Sequence, residues 1–285
     1  GCNQLGQPLS MLLALDPRVW ELTVQDLAIT MTPLEGVVCD LHHLERKCKV
    51  KAYSLEAVQK PIDHLEECLR GCHLVMLCSG WPSNGRTASD LLKLNGSIAK
   101  NLVEACAKHC PQAIVGLVMQ PMNSLVPAMA RLYARVGLDP SRICGVTSLD
   151  VARANKFVHV ETQKPVETIS VPVVGGTSGP SALPLFSQDR VAAALSADQT
   201  TDILERIQAG CTEVTAAKKG KCGATLAQAY ACSRFANAVL SGLSGRRTTE
   251  CCFVQSPDPA ARAGLDFCAS KVTFGPRGVE RGHPI

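Results

Sequence analysis

A doubly wound α/β first half joined to an α+β second half is the architecture this 285-residue sequence predicts. Three observations predict it. Up to about residue 145, short apolar runs of strand length alternate with segments of helical periodicity, the pattern of a mostly parallel sheet with helices on both faces. A glycine turn, Gly1 to Gly6, opens into an apolar helix, and an acidic residue, Asp26, closes the strand that follows. Beyond Gly145 the texture changes to long helices with a few returning strands.

The elements follow in order. Leu9, Leu12 and Leu13 mark the first helix. Residues 22–26 (Leu-Thr-Val-Gln-Asp) form a short strand, and 35–45 a polar-apolar helix. Residues 74–78 (Leu-Val-Met-Leu-Cys) are a continuous apolar run, hence a buried strand, ending at Ser79-Gly80. Residues 91–109 carry Leu91, Leu94, Ile98, Leu102 and Ala105 on one helical stripe, and 113–118 form the next buried strand. After Gly145 come a long helix, a strand over 168–174, helices over 202–217 and 224–243, and strands at 253–254 and 271–274.

Composition narrows the function classes. With 46% hydrophobic and 19% charged residues there is no compositional case for disorder. The net charge of +4 is mild, and Lys218-Lys219-Gly220-Lys221 and Arg246-Arg247, the densest basic spots, read as solvated loops, so a nucleic-acid partner is not expected. No apolar run reaches membrane-spanning length, so no membrane insertion is expected. The fifteen cysteines are odd in number and scattered, without a CxxC pair, and read as reduced, buried thiols. Cys68/Cys72 and Cys106/Cys110 lie four apart, as on one helix face, with His109 beside the second pair. Structural zinc usually takes two close ligand pairs, and no metal is expected.

Gly1-Cys2-Asn3-Gln4-Leu5-Gly6 has the spacing of G-x-G-x-x-G, with Asn3 at the middle glycine. In that fingerprint the glycines permit a tight turn and let a pyrophosphate approach the helix N-terminus. Asp26 stands 20 residues after Gly6, where an acid can bind ribose hydroxyls. Two glycines five apart are common, and an Asp at a strand end is also ordinary turn chemistry.

Six motifs, taken together, carry a family resemblance. They are the segment 6–13 (Gly-Gln-Pro-Leu-Ser-Met-Leu-Leu), 95–98 (Asn-Gly-Ser-Ile), 121–124 (Pro-Met-Asn-Ser), 145–155 (Gly-Val-Thr-Ser-Leu-Asp-Val-Ala-Arg-Ala-Asn), 206–214 (Arg-Ile-Gln through Thr-Glu-Val) and 224–231 (Ala-Thr-Leu-Ala-Gln-Ala-Tyr-Ala). Together they resemble the mitochondrial-type malate dehydrogenases of the lactate/malate dehydrogenase family, in family order over nearly the whole chain. The resemblance implies a Rossmann NAD-binding domain over residues 1–144 and a substrate domain over 145–285. It implies Gly1, Gly6, Asp26, Asn95 and Asn123 as cofactor contacts, and a mitochondrial location. Both ends look shorter than the family's. A doubly wound sheet needs its first strand in the middle, so an additional apolar strand just before Gly1 is expected.

The same resemblance implies a degenerate site. Asp150 matches the Asp of the family's proton-relay pair, but Thr177, in Val-Pro-Val-Val-Gly-Gly-Thr-Ser-Gly (171–179), stands where the His belongs. Arg153 matches one of three substrate arginines; Ser83 and Ala88 fall at the other two, with Arg86 out of phase. Gly223 replaces the late pocket serine, and Gln228 the methionine beside the nicotinamide. A hydroxyl is a poor acid, and losing a general acid-base group costs on the order of 10²–10⁴-fold. Missing guanidiniums remove bidentate carboxylate contacts that position substrate. Asp150 is then expected to be a buried polar group bonded to Thr177 or backbone, with Arg153 persisting as its ion-pair partner.

Two functions remain. One is a catalytically inactive paralogue kept as a structural or interaction subunit, homodimeric or in a larger organellar complex, with NAD binding weakened beyond ~100 μM or lost. The other is an active NAD-dependent dehydrogenase on malate or another 2-hydroxy acid, with its acid supplied from elsewhere. His42 and His43 lie in the family's dimer-helix region, and nothing in the sequence aims them at the site.

Overall fold

The computed structural model describes residues 1–82, 85–177, 179–255 and 264–284. The first half contains α1 (Gly6–Leu15), β1 (Glu21–Leu27), α2 (Leu34–Leu41), β2 (Lys49–Leu55), the short α3 (Pro61–His64) and α4 (Glu66–Leu69), β3 (Leu74–Leu77), α5 (Ala88–His109), β4 (Ile114–Leu117) and α6 (Met122–Arg135). It passes through β5 (Ile143–Val146) into α7 (Ser148–Thr162), β6 (Val173–Gly175), β7 (Ala182–Pro184), α8 (Ala197–Ala217), α9 (Thr225–Leu243), β8 (Thr248–Gln255), β9 (Phe267–Gly275) and β10 (Gly278–Gly282). β3, β4 and β5 are parallel, and the order continues antiparallel through β8, β9, β6 and β7, with β10 on β9.

β1 and β2 form a separate parallel pair. Their sheet is not hydrogen-bonded to β3. The free edges of β1 and β3 instead border a cavity of about 420 Å³.

Apolar burial explains the layers. Both faces of β4 and β5 are fully buried, as an apolar run requires in a parallel sheet. One core packs α5 and α6 through Val103, Leu125 and Tyr133; the other packs α1 and α9 through Leu9, Phe235 and Phe274. A third holds α7 and α8 together around Val158 and Ile207. At Gly242, α9 approaches β9 so closely that an added Cβ would lie 2.7–2.8 Å from the Phe274 backbone. Backbone cannot yield cheaply. Gly242→Ala is therefore expected to destabilise by about 1–3 kcal/mol through overpacking, against a helix-propensity gain of at most ~1 kcal/mol. An unchanged or higher urea midpoint would contradict that contact.

Four expectations are corrected. The strand over 168–174 shrinks to β6: residues 166–168 form a 3-10 turn, Pro172 has no N–H, and side chains satisfy the backbone in between. The Ser170 and Val171 amides donate to Asp189 Oδ2 at 2.7 Å and Asn155 Oδ1 at 2.9 Å. The helix expected to reach residue 45 stops at Leu41, its last turn capped at His42. Cys68 and Cys72 do not share a helix, because α4 ends at Leu69 and Gly71 turns the chain at φ +78°. All fifteen cysteines are free thiols, but Cys39 and Cys211 are exposed rather than buried. Burial pushes the Cys68 thiol up to about 11, as expected of an inert core thiol.

Candidate functional site

The centre of the site is an acid and a base one turn apart on α7. Thr147, just ahead of the helix, donates its hydroxyl to the Cys251 carbonyl at 3.1 Å and fixes the helix start against β8. Asp150 falls in the first turn, where the helix dipole favours a carboxylate, and Arg153 follows at i+3. Arg153 Nη1 lies 3.2 Å from Asp150 Oδ1, and the two side chains are only 10% and 13% exposed. Burial pushes the Asp150 carboxyl up to about 6, against the opposing pull of Arg153.

α8 shapes the other side of this pair. A Cβ on Gly210 would lie 2.8 Å from Arg153 Nε, so the absent side chain is what lets the guanidinium lie against the helix. Both terminal nitrogens of Arg153 then donate to Cys211 Sγ at 3.5 Å. Nothing in the sequence signalled this contact between residues 58 apart.

β6 delivers Thr177. Gly175 takes φ +91°, and Gly176 packs so tightly that a Cβ there would lie 2.9 Å from Asn123 Nδ2. The N-terminal turn of α6 is thereby brought onto the loop. Thr177 Oγ1 donates to Asn123 Oδ1 at 3.0 Å. The expected bond between Asp150 and Thr177 does not form, because the Thr177 hydroxyl goes to Asn123, while the expected ion pair with Arg153 is present.

Asn95 ties two loops together at the position where the resemblance implies a cofactor contact. It is fully buried in α5; its Oδ1 accepts from the Trp81 amide at 2.7 Å, and its Nδ2 donates to the Trp81 and Gln120 carbonyls at 3.1 and 2.7 Å. Its hydrogen-bonding capacity goes into tying the loop after β3 to the loop before α6. In the former loop Arg86 donates to the Pro82 carbonyl at 3.2 Å and lies over the Trp81 ring. Ala88 is the exposed first residue of α5. Ser83 lies outside the described residues. Gln228 Nε2 points to Cys232 Sγ at 3.7 Å, and the Gly223 carbonyl accepts from Lys218 Nζ at 3.0 Å.

The glycine turn is built as the fingerprint requires, but its donors are spent internally. A Cβ on Gly6 would collide with the Gly1 carbonyl, and one on Gly1 with Val24. Asn3 Oδ1 accepts from the Leu5 and Gly6 amides at 3.1 and 2.6 Å, the helix-terminal N–H groups that a pyrophosphate would use. Asn3 Nδ2 reaches the Cys78 carbonyl at 3.1 Å. Asp26 Oδ2 accepts from the Cys2 amide at 2.6 Å and its Oδ1 from the Leu27 amide at 2.8 Å. The residues present fit a dinucleotide in backbone outline, and Asn3 holds two of the turn's amides.

The other candidates lie apart. His42 Nε2 meets the Val50 carbonyl at 2.9 Å, and His109 Nε2 the Ile62 carbonyl at 2.7 Å. Among the described residues no three ligating side chains converge on a metal position, and no helix is long and apolar enough to cross a membrane.

Comparison with known proteins agrees along the whole chain. Residues 1–145 match the lactate/malate dehydrogenase NAD binding domain, and 147–285 the alpha/beta C-terminal domain of the same family. The chain is 40% identical over 283 residues to a mitochondrial malate dehydrogenase of Chlamydomonas reinhardtii, covering 99% of this chain and 72% of that one. Malate dehydrogenase 1, mitochondrial, of Arabidopsis thaliana is 41% identical over 279 residues, covering 97% of this chain and 78% of its own length. Among solved structures, the apo malate dehydrogenase of Picrophilus torridus superposes with a TM-score of 0.84 at 21% identity, covering 100% of this chain and 88% of that one. The Plasmodium falciparum malate dehydrogenase in complex with NADH gives 0.78 at 20% identity, again covering 100% of this chain and 88% of that one. At such identities these likenesses establish the fold alone.

Proposed function

The chain belongs to the lactate/malate dehydrogenase family, and we propose that it keeps the family's scaffold without ordinary malate turnover, as a structural or interaction subunit. One observation carries this reading. At the position implied for the proton-transfer group stands Thr177, whose hydroxyl is already committed to Asn123, while Asp150 is committed to Arg153. Reduction of a carbonyl by hydride needs a proton at the developing alkoxide, and a threonine hydroxyl is a poor donor at neutral pH. Asp150 and Arg153 can hold each other and a carboxylate; they do not by themselves reproduce a clamp of three guanidiniums. The loss expected is on the order of 10²–10⁴-fold. The names of the relatives support a mitochondrial setting, and the family's first-half helices support a homodimer or larger assembly burying at least ~1,000 Å².

The test is NADH oxidation with oxaloacetate, alongside sizing of the protein at native abundance. A monodisperse, partnerless protein turning over at ~10 s⁻¹ or faster would sink the proposal.

NAD binding belongs to the same reading, as weak or lost. Asn3 occupies the amides that would receive the pyrophosphate, and Asp26 is engaged by the Cys2 and Leu27 amides. Asn3→Gly should free the Leu5 and Gly6 amides and tighten NADH binding roughly tenfold, about 1.4 kcal/mol. Isothermal calorimetry on both chains decides it. Low-micromolar NADH binding by the unmodified chain, unchanged in the variant, would show that Asn3 is no obstacle.

A second reading is an active dehydrogenase on malate or another 2-hydroxy acid. Asp150 favours it, since its carboxyl, pushed up to about 6 beside Arg153, titrates close to neutral pH. The oxaloacetate assay separates the two readings.

A further inference from the structure

Arg153 is a cation with donors to spare. Its side chain is only 10% exposed, yet among the described residues it meets a single oxygen, Asp150 Oδ1, which lies 3.2 Å from Nη1. Nη1 and Nη2 both turn to Cys211 Sγ at 3.5 Å, and a thiol sulfur is a weak acceptor. Glu213, two residues further along α8, takes no part, because Arg206 holds it at 3.1 and 3.2 Å. A buried guanidinium left with sulfur as its second acceptor would be better satisfied by a carboxylate, since charge-assisted hydrogen bonds are roughly twice as strong as neutral ones.

The thiol stands at the open side of that guanidinium. Cys211 is exposed, whereas its neighbour Gly210 is buried against Arg153, where a Cβ would lie 2.8 Å from Nε. The close approach at Gly210 fixes the sulfur relative to the guanidinium, and the exposed thiol marks the side from which a ligand enters. A carboxylate that displaces Sγ from Nη1 and Nη2 brings its neighbouring carbons toward the near-attack range of about 3–3.5 Å from the same sulfur. Thiols are intrinsically strong nucleophiles, with a few per cent ordinarily ionised at neutral pH.

From this geometry we infer that Cys211 and Arg153 form a capture site for short α,β-unsaturated carboxylates: the guanidinium holds the carboxylate, and the sulfur adds to the double bond. In that addition the thiol loses its proton to water. A C–S bond forms at the β carbon as the C=C π bond breaks, and the π electron pair moves to the α carbon, which takes a proton from water. No group leaves, and no oxidant or reductant is needed. The charge selects the ligand and the double bond selects the reaction, so a saturated acid occupies the site reversibly and a neutral electrophile reacts without steering. The site uses no hydride and no proton from Thr177, so it stands whether or not the chain turns over malate.

The experiment uses the full chain and mass spectrometry of the peptides carrying Cys211 and Cys39, the other exposed thiol. Two alkylating probes differ in charge, anionic iodoacetate and neutral iodoacetamide. The ratio of their rates at Cys211 should exceed the ratio at Cys39 by about tenfold or more, and the excess should shrink as salt rises. Fumarate should add to Cys211 about tenfold faster than to Cys39. Excess succinate, which has no double bond, should slow both iodoacetate and fumarate at Cys211 and leave Cys39 unchanged. Arg153→Gln should bring the Cys211 ratio down to that of Cys39. Because this variant leaves the Asp150 carboxylate buried and unpaired, Asp150→Asn/Arg153→Gln is run beside it, and succinate protection tests the same point in the unmodified chain. Equal ratios at the two thiols, fumarate addition no faster at Cys211, or succinate without effect there would each overturn the inference.

Discussion

Thr177→His, made alone, should leave oxaloacetate reduction within about tenfold of the unmodified chain. A histidine there supplies an imidazole of suitable pKa, the change that a sequence comparison suggests first. It does not supply the rest of the unit. Asp150, which would have to orient the ring, is held by Arg153 at 3.2 Å, and Arg153 is drawn further away toward Cys211 at 3.5 Å. Arg86 is engaged with Trp81 and the Pro82 carbonyl, so it offers no ready replacement for the guanidiniums missing at Ser83 and Ala88. Groups that act together lose and regain activity together; a single restored member of a broken constellation recovers little. The triple variant Ser83→Arg, Ala88→Arg, Thr177→His should therefore exceed the product of its single effects. Steady-state kinetics with NADH gives the answer, and recovery to ~10 s⁻¹ by Thr177→His alone would refute the account.

Much of the fold was legible, because continuous apolar runs announce buried parallel strands. β3, β4 and α9 were found within a residue or two, and α5 and α8 with the right ends but starts three and five residues late. β2 was not, since Lys49 and Lys51 interrupt Val50 and Ala52, and its alternating burial resembles a polar segment when read residue by residue. α6 was seen only as a motif at its first turn, β7 is only three residues long, and β10 (Gly-Val-Glu-Arg-Gly) has no apolar run to announce it. The false strand over 168–174 arose from β-branched composition; the backbone there is satisfied by Asn155 and Asp189, partners remote in sequence.

Motifs named the candidate site residues, and they said little of its geometry. Asp150, Arg153 and Thr177 were named from their motifs, but which of them touch was open until Asn123 and Cys211 took the remaining contacts. Asn95 shows the limit most clearly. A motif marks the residue as important, and only the fold reveals that its amide is spent on the Trp81 and Gln120 backbone. Asn3 is the reverse case: a side chain in place of the middle glycine was already a physical warning, and its bonds to Leu5 and Gly6 supply the reason.

Asp150→Asn should stabilise the folded protein at pH 7.5 by about 2–3 kcal/mol, and the gain should vanish near pH 4. The carboxyl is pushed from 3.8 up to about 6 because burial costs the charged form more than Arg153 returns. A raised folded pKa means that the native state holds its proton more tightly than the unfolded chain. The stability this provides is complete below about pH 4 and is lost as pH rises through 6; with each unit worth about 1.36 kcal/mol, the loss approaches ~3 kcal/mol above pH 7. Asparagine mimics the protonated form and does not titrate. Because another carboxylate, Asp16, is held low by Arg18 and shifts stability in the opposite sense, the informative quantity is the difference between the two chains' urea-unfolding curves across pH. That difference should grow from near zero at pH 4 to its plateau by pH 7. A variant less stable than its parent at pH 7.5 would mean that the Asp150–Arg153 pair is net favourable. If the expected gain appears while oxaloacetate reduction stays at background in both chains, the ionised carboxylate imposes a stability cost that turnover of this substrate does not explain. Its place would then have to be sought in whatever binds at Arg153.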